Sequence, residues 1–465
     1  RPPRSTLFPY TTLFRSHSKA KLVSFYRQDS PELLTQWFEK ALQPQKPNRF
    51  ADIISMREAI LPMLNEFLPV DDRVLESTVP EIPTRADNQK DAGISSFYHP
   101  LLPLKLIIGY ESDDHARPIF WEYGHKELKN PHLAIFSQNI GESANILHGI
   151  ALELSLHKQH ALIFDMEGCF SLSSMSDDLK KRLKIKQTIL ALTPIGINPF
   201  AALAIKSGGS ESMENCHAMA QRLSGVFEAI CRLDRSEKQY LYEMLMNILP
   251  GYGDSLNFEI LLEKIGKDER ITNRNLSRVL MEFKNTPVFD PKLNETWTHF
   301  YLESNYSHHS ISFTGLDPDQ KHLAADLLLY DLHLKLQDFE LESQLNNIII
   351  SGSYTGLTHP SCAVSHITNE NLGNRFSVVF IVLNAMNLPE EHLMPVRSAA
   401  QRIIEKPSTK GLEPMASLLS RCHDDPLQTW VERLNALKTG EFISDGPVLD
   451  RSTGKLYQKL QTGRV

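Results

Sequence analysis

Short apolar runs alternate with segments of helical spacing along most of the chain. Six runs of four to seven apolar-rich residues stand between longer segments in which apolar side chains recur every three or four positions: residues 104–108, 132–136, 161–164, 310–313, 347–350 and 377–383. Short strands alternating with helices are typical of an α/β fold with a parallel sheet. The pattern therefore predicts an α/β domain with a mainly parallel sheet over residues 96–465.

A long segment without such runs separates the third predicted strand from the fourth. Residues 211–285 contain amphipathic stretches at 217–227 and 240–249, with apolar spacings of three and four. This spacing predicts helices that bury one face. We therefore expect a helical insertion at about 211–285, with Ser207-Gly-Gly-Ser210 as a flexible connection ahead of it.

The first part of the chain has a different character. Residues 17–95 predict a small, mostly helical module that ends in a polar, proline-containing linker at 79–93. The first sixteen residues, RPPRSTLFPYTTLFRS, correspond codon by codon to a translated sequencing adapter. Residues 1–16 are therefore expected to be an artefact outside the fold, and the natural chain to be truncated at its N-terminus.

Composition and charge restrict the class of protein. The 465 residues carry 49 Lys and Arg against 56 Asp and Glu, a formal net charge of −7, which argues against a protein that coats nucleic acid with its whole surface. The five cysteines form no C-x-x-C pair, and no apolar run approaches the roughly 18 residues of a membrane-spanning helix. We expect a cytoplasmic protein with free thiols and no membrane partner.

The segment 131–154 has the outline of a strand, a loop and a helix, an arrangement in which many α/β proteins hold a phosphate. In a working P-loop, G-x-x-x-x-G-K-[ST], backbone N–H groups surround the phosphates, the lysine neutralises them and the hydroxyl holds Mg²⁺. The corresponding residues here are Ser137, Gln138, Asn139, Ile140, Gly141, Glu142, Ser143 and Ala144. These eight residues are the candidate nucleotide contacts.

The register of this loop is open. An ungapped alignment puts Ser143 and Ala144 at the lysine and hydroxyl positions, whereas a one-residue deletion puts Glu142 and Ser143 there. Neither register supplies a cation, and a carboxylate facing a triphosphate repels it where screening is weak. The motif therefore predicts a poor nucleotide site.

Several further motifs occur in a definite order. They are PIFWEYGHKEL at 118–128, LIFDMEG at 162–168, INPF at 197–200, AQRLSGVF at 220–227, SFTGL at 312–316, AAQRIIEKP at 399–407 and LKTGEFISDG at 437–446. With these motifs residues 100–465 resemble the FtsK/HerA group of DNA-translocating ATPases, and more closely its members from DNA phosphorothioation-dependent restriction. The resemblance implies a P-loop NTPase-like sheet, ATP and Mg²⁺ as cofactors, DNA as a partner and a ring-forming oligomer.

The same resemblance implies an Asp-Glu pair after the strand at 347–350, with the Asp ordering Mg²⁺ and the Glu polarising the attacking water. This chain has Ser351 and Gly352 there. A polar sensor is implied after the strand at 377–383, and the aligned residue is Met386. The phosphate loop, the acidic pair and the sensor thus all lack the groups that carry out phosphoryl transfer.

Asp165 remains at the end of its predicted strand. A single Asp does not replace both a phosphate-binding cation and a water-activating acid. We therefore predict no catalytic residue, with Asp165 as a ninth candidate contact, and leave ATP and Mg²⁺ open as cofactors.

Two other groups of reactive side chains are expected to be structural. His359, Cys362 and His366 have metal-like spacing, but structural zinc takes four ligands and no fourth lies close in the sequence. A polar loop is expected there and no metal site. The run Cys422-His-Asp-Asp425 is expected to end a helix at the surface, because a nucleophile needs a positioned base.

The densest basic run of the chain spans residues 178–186, with Lys180, Lys181, Arg182, Lys184 and Lys186. Such a run is either a contact for DNA phosphates or a solvated face. The net acidity of the chain favours the solvated face.

Two hypotheses follow from the sequence. The first is a scaffold or subunit with a degenerate ATPase core, which acts beside other subunits of a DNA-defence complex. The second is an ATP-driven DNA motor whose site is completed by a Lys or Arg from a neighbour in a ring. A third explanation, an error in sequence assembly, would mix true divergence with artefact.

Overall fold

The structure of the protein is a computed structural model that describes residues 105–464 outside several gaps. The gaps are residues 114–116, 123–124, 126–127, 129, 139, 208–209, 268–269, 272–273, 294–296, 298–306, 336–346, 353–358, 370–376, 384–397, 424 and 451–454. The expected artefact at 1–16 and the expected helical module at 17–95 lie outside the described residues and stay predictions.

Thirteen strands occur within the described residues. Their bounds are β1 Leu106–Glu111, β2 Pro118–Trp121, β3 Leu133–Ser137, β4 Ala161–Asp165, β5 Ile185–Ile189, β6 Ala204–Ser207, β7 Ser210–Met213, β8 His308–Ser312, β9 Asn347–Ser351, β10 Ser377–Leu383, β11 Gln401–Glu405, β12 Glu441–Leu449 and β13 Leu456–Arg464. Eleven of them form one sheet in the order β2-β1-β13-β12-β11-β3-β10-β9-β4-β8-β5. The other two, β6 and β7, pair as a separate antiparallel hairpin.

The sheet has a parallel part and an antiparallel part. From β11 to β5 every neighbouring pair of strands is parallel. Beyond β11 the strands β12, β13, β1 and β2 are joined by antiparallel pairs. The prediction of a mainly parallel α/β sheet is therefore confirmed.

All six apolar runs predicted as strands lie on strands β1, β3, β4, β8, β9 and β10. The first of them, β1, belongs to the antiparallel part, because it pairs with β2 and β13. The strands that the pattern missed carry more polar residues, as in Ile185-Lys-Gln-Thr-Ile189 of β5. Strand β5 lies at the edge of the sheet, where fewer side chains are buried on both faces, whereas the missed strand β11 lies in its interior.

Ten α-helices connect these strands within the described residues. Their bounds are α1 Ile140–Leu156, α2 Asp177–Leu183, α3 Cys216–Cys231, α4 Arg235–Tyr252, α5 Phe258–Ile265, α6 Arg274–Asn285, α7 Pro318–Lys335, α8 Ala363–Asn369, α9 Leu412–His423 and α10 Leu427–Ala436. None of the helices that the structure describes is both long and apolar enough to cross a bilayer.

Two hydrophobic cores cover the two faces of the sheet. Along β3, Ala134 and Phe136 belong to the larger core, whereas Leu133 and Ile135 belong to the smaller one. This alternation follows from the two-residue period of a strand. The buried helix α7 packs in the larger core, and α1 packs in the smaller core. Strands covered on both faces explain the continuous apolar runs in the sequence.

The insertion between β4 and β8 begins with a hairpin. Residues 211–213 lie in strand β7, and Ser207 of β6 pairs with Ser210 of β7. Strand therefore replaces helix over residues 211–213, whereas the connection expected at 207–210 includes residues outside the described part of the chain and stays a prediction. Helices α3 to α6 follow from Cys216 to Asn285.

Polar side chains set the first residues of these helices. The Asn215 side chain accepts a hydrogen bond from the Ala218 N–H at 2.9 Å, and Asn257 does the same for Ile260 at 2.9 Å. Asp234 and Glu237 form a reciprocal capping box at the start of α4. Such caps satisfy N–H groups that have no partner inside the helix.

Candidate functional site

The carboxyl ends of the parallel strands meet at one edge of the sheet. There Asp165 of β4 lies opposite Ser351 of β9, and Ser137 of β3 lies opposite Leu383 of β10. In open α/β sheets, ligands bind in the crevice outside this edge. The candidate site is therefore the edge formed by the ends of β3, β4, β9 and β11.

The junction between β3 and α1 is shorter than the sequence predicted. Strand β3 ends at Ser137 and helix α1 already begins at Ile140. The helix therefore includes the backbone of five of the eight candidate residues, namely Ile140, Gly141, Glu142, Ser143 and Ala144. Asn139 and the side chain of Glu142 lie outside what the structure describes. Helix α1 thus begins inside the segment 137–144, and the role of its residues as nucleotide contacts stays a prediction.

Two hydrogen bonds join this junction to the segment that follows β11. The Ser143 hydroxyl donates to Glu405 Oε2 at 2.9 Å, and both residues are buried. The Ser408 backbone N–H donates to Gln138 Oε1 at 2.7 Å. The residues 405–408 thus contact the junction from its strand side and from its helix side.

Asp165 is fully buried, and both of its carboxylate oxygens accept hydrogen bonds. The Ser351 hydroxyl donates to Oδ1 at 2.5 Å, and the Phe170 N–H donates to Oδ2 at 3.0 Å. Burial raises the pKa of Asp165, and these hydrogen bonds only partly oppose that rise. Asp165 is therefore hydrogen-bonded to Ser351, the residue at the position where the resemblance implies the first member of the acidic pair.

Gly352 has a backbone conformation and close neighbours that would strain any residue with a side chain. Its φ of +115° is unfavourable for L-residues with a Cβ. A Cβ there would lie 2.8 Å from Glu167 Cγ and 3.0 Å from Met166 Cβ. The place where the resemblance implies a water-activating Glu is thus closed by the backbone and by the residues that follow β4.

Two polar contacts support the turn after β4. His148 of α1 lies 2.8 Å from the Cys169 carbonyl oxygen, which accepts from its Nε2–H, and the imidazole stacks edge-on against Phe170 at 4.9 Å. Burial lowers the pKa of His148. The Lys321 ammonium of α7 donates to the Met166 carbonyl oxygen at 3.1 Å. This turn is held by ordinary structural hydrogen bonds.

These residues do not fit a Mg²⁺ ion in the way the resemblance implies. Mg²⁺ takes oxygen ligands in octahedral geometry, usually with one or two carboxylates and the substrate phosphates. Asp165 already accepts two hydrogen bonds. Ser351, which faces it on β9, has only a hydroxyl, and the next residue is Gly352. Across the described part of the chain, no three His, Cys, Asp or Glu side chains come together as metal ligands would.

The other predicted groups have definite places. Cys362 is buried just before α8, and His366 is on that helix, so the expected polar loop at 359–366 was wrong. Helix α9 ends at His423, as expected for residues 422–425, but His423 is not at the open surface, because its Nε2 lies 2.9 Å from Oδ2 of the buried Asp445. Met386 of the implied sensor lies outside the described residues.

The basic run spans α2 and the edge strand β5. Lys180 pairs with Asp177 at 2.9 Å, and Arg182 pairs with Asp178 at 3.0 Å. Lys181 and Lys184 are exposed. Part of the positive charge is thus neutralised within α2, as on an ordinary solvated helix.

A comparison with one solved structure agrees with this fold. The structure of VirB4 of Thermoanaerobacter pseudethanolicus superposes with a TM-score of 0.50 and 13% sequence identity, covering 77% of this chain and 96% of that chain. The plasmid coupling protein TrwB in complex with ADP and Mg²⁺ gives a TM-score of 0.43 with 11% identity, covering 72% and 84% of the two chains. No protein-family model and no curated protein matches the chain.

The fold and the neighbour together define the class of architecture. The chain has a mixed α/β fold with a large, mostly parallel sheet, and this fold is similar to that of VirB4. At 13% identity, the likeness to VirB4 concerns the fold alone. Function has to come from the residues at the carboxyl edge of the sheet.

Sequence reasoning missed two features of this edge. Glu405 ends the apolar strand Gln401-Arg-Ile-Ile-Glu405, and a lone acid after an apolar run was the available signal. The second feature is the positive φ of Gly352. Its signal in the sequence was weaker: a glycine directly after an apolar run often has a positive φ. The contact between Glu405 and Ser143 joins residues 262 positions apart, which no local pattern reveals.

Proposed function

We propose that the protein is a non-hydrolysing member of the P-loop ATPase fold that acts as a scaffold or subunit. Its sequence motifs resemble those of DptH, from DNA phosphorothioation-dependent restriction. On that basis the partners are other subunits of a cytoplasmic DNA-defence complex, in which a ring is one form of assembly. DNA itself remains a candidate partner.

One observation carries this proposal: the end of β9. Ser351 uses its hydroxyl to bond Asp165, and Gly352 packs against Met166 and Glu167 where a Cβ has no room. Hydrolysis needs a carboxylate or an amide that positions the attacking water. Neither the Ser351 hydroxyl, which is bonded to Asp165, nor Gly352 supplies such a group at this place.

The phosphate-binding junction supports the same proposal. Neither register of Ser137–Ala144 contains a Lys or Arg. The helix begins two residues after the Gln138 position that is bonded to Ser408. A loop this short offers few backbone N–H groups to surround a triphosphate.

Nucleotide binding and turnover test the proposal directly. We expect calorimetry of the purified protein to show no Mg-ATP binding at millimolar nucleotide, and no ATP turnover with or without duplex DNA. DNA-stimulated turnover that is abolished by Ser143→Ala would contradict the proposal. That result would favour the second hypothesis, a motor completed by a neighbour's Lys or Arg.

A control variant makes this test sharper. Ser351→Asp combined with Gly352→Glu restores the acidic pair in the sequence. Because Gly352 has a positive φ and close neighbours, we expect this double variant to be less stable and to remain without turnover. Turnover gained by this variant would show that the site is otherwise competent.

A further inference from the structure

A buried carboxylate lies against the start of helix α1. Phe136 of β3 pairs with Ile404 of β11, so the next residue of each strand, Ser137 and Glu405, reach the same edge side by side. Glu405 is only 7% exposed. A charged side chain that is this buried normally has a specific partner.

The partner of Glu405 belongs to the first turn of the helix. Ser143 is the fourth residue of α1, and its hydroxyl donates to Glu405 Oε2 at 2.9 Å. The first four N–H groups of a helix have no acceptor within it, and the helix dipole is positive at this end. The same end of a helix binds phosphate in nucleotide-binding proteins. Here the chain supplies an anion of its own.

Two neighbouring contacts fix the segment that follows Glu405. The Ser408 N–H donates to Gln138 Oε1 at 2.7 Å, which attaches the segment after β11 to the strand side of the junction. The Lys406 ammonium donates to the Leu437 carbonyl oxygen, beyond that segment. The residues 405–408 are thus bound at both ends of the β3–α1 junction and to the loop after α10.

We infer that Glu405 is an internal anion that occupies the phosphate position at the N-terminus of α1 and keeps external phosphates out. The contact is autoinhibitory: a phosphate reaches this helix end only when the carboxylate is neutralised or withdrawn. The inference rests on the proposed function, because it explains why the site of a P-loop-like fold does not take up nucleotide. It adds the side chain that would have to move for binding to return.

Pyrophosphate binding to the full chain tests the inference. Glu405→Gln keeps the shape of the side chain and an oxygen that accepts from Ser143, but it removes the charge. We expect this variant to bind pyrophosphate at least tenfold more tightly than the wild type, as measured by isothermal calorimetry. Glu413→Gln is the matched control, since Glu413 is exposed in the first turn of α9, and its affinity is expected to equal that of the wild type.

A second variant covers the case in which Glu405→Gln does not fold. Ser143→Ala removes the hydroxyl that holds the carboxylate, so a smaller gain in pyrophosphate affinity is expected. If the folded variants bind pyrophosphate no more tightly than the wild type, the inference is overturned. ATP turnover by the wild type tests the proposed function separately. Turnover in the wild type together with a tenfold gain in Glu405→Gln would overturn the proposed function but leave the inference standing.

Discussion

Two buried histidines at the residue scale are held in the neutral form by their hydrogen bonds. His132 Nδ1 accepts from the Val378 N–H at 3.1 Å. His308 Nδ1 accepts from the Ala161 N–H at 3.2 Å, while its Nε2–H donates to the Ala151 carbonyl oxygen at 2.9 Å. An Nδ1 that accepts a hydrogen bond carries no proton. Burial lowers the pKa of each histidine to about 4.

These lowered pKa values predict a loss of stability in mild acid. Between about pH 6.5 and pH 4 the unfolded chain binds more protons than the folded one, so the free energy of unfolding falls as the pH falls. The stability is fully present above pH 6.5, and each histidine contributes about 3 kcal/mol over this window at 1.36 kcal/mol per pKa unit. Urea denaturation at pH 7.5 and pH 4.5 measures the difference.

A double variant separates the histidines from other titrating groups. The raised pKa of Asp165 acts in the opposite direction, because its stabilising contribution is lost as the pH rises. The variant His132→Asn with His308→Asn keeps an acceptor at each site and leaves Asp165 unchanged. We expect its stability to depend less on pH than that of the wild type. An unchanged slope would refute the assignment to these histidines, and the exposed His157→Asn serves as the control.

Gly352 gives a second prediction at this scale. Gly352→Ala places a Cβ at a positive φ and within 3.0 Å of two neighbouring side chains, so we expect the free energy of unfolding to fall by about 1–3 kcal/mol. Gly440→Ala is the matched control, since Gly440 has a φ of +80° and nothing within 4 Å of the added Cβ. Equal losses in urea denaturation would mean that the contacts with Met166 and Glu167 do not matter.

The candidate site was only partly predictable from individual residues. The missing lysine and the missing acidic pair are visible in the sequence, because they depend on identity at a strand end. The partner of Ser143 is not, because Glu405 reaches it through the pairing of β3 with β11. The residue types at a strand end can thus be predicted from the sequence. The residues that contact them depend on the order of the strands in the sheet.

At the element scale, a buried ion pair ties the β6–β7 hairpin to helix α3. Arg222 and Glu214 are 7% and 4% exposed, and Arg222 Nη2 lies 2.9 Å from Glu214 Oε2. A second bond runs from Nε to Oε1 at 3.0 Å, and Nη2 also donates to the Ala201 carbonyl oxygen at 3.3 Å. Arg222 Nη1 also donates to the Pro199 carbonyl oxygen at 3.4 Å, so the motifs at 197–200 and 220–227 are in contact.

Removal of one partner from this pair should be costly. Arg222→Met leaves the Glu214 carboxylate buried without its cation, and we expect a loss of about 3–5 kcal/mol in the free energy of unfolding. The double variant Arg222→Met with Glu214→Leu removes both charges, so part of that loss should be recovered. A double-mutant cycle in urea gives the coupling, and additive losses would mean that the pair is not coupled. Lys284→Met, in an exposed pair with Glu259, should change stability much less.

The scale of the whole molecule shows why the fold class was easier to predict than its topology. Six strands were visible as apolar runs, because they are covered on both faces. The order of the strands was not visible, since β3 lies between β10 and β11, which follow it by more than 200 residues. The antiparallel strands β12 and β13 carry polar residues such as Gln458 and Lys459, so no apolar run predicted them.

This topology predicts a gradient of stability across the sheet. Strand β10 lies between β3 and β9 and is buried over its described side chains, whereas β2 and β5 each pair with one strand among the described residues. Local opening is easiest where few buried contacts must be broken. In native-state hydrogen–deuterium exchange we expect the backbone amides of β3, β9 and β10 to exchange most slowly, and those of β2 and β5 faster by orders of magnitude. Exchange in β5 as slow as in β10 would mean that another element or a partner covers that edge in solution. Repeating the measurement at several protein concentrations then distinguishes the two, because only protection by a second copy of the chain weakens on dilution.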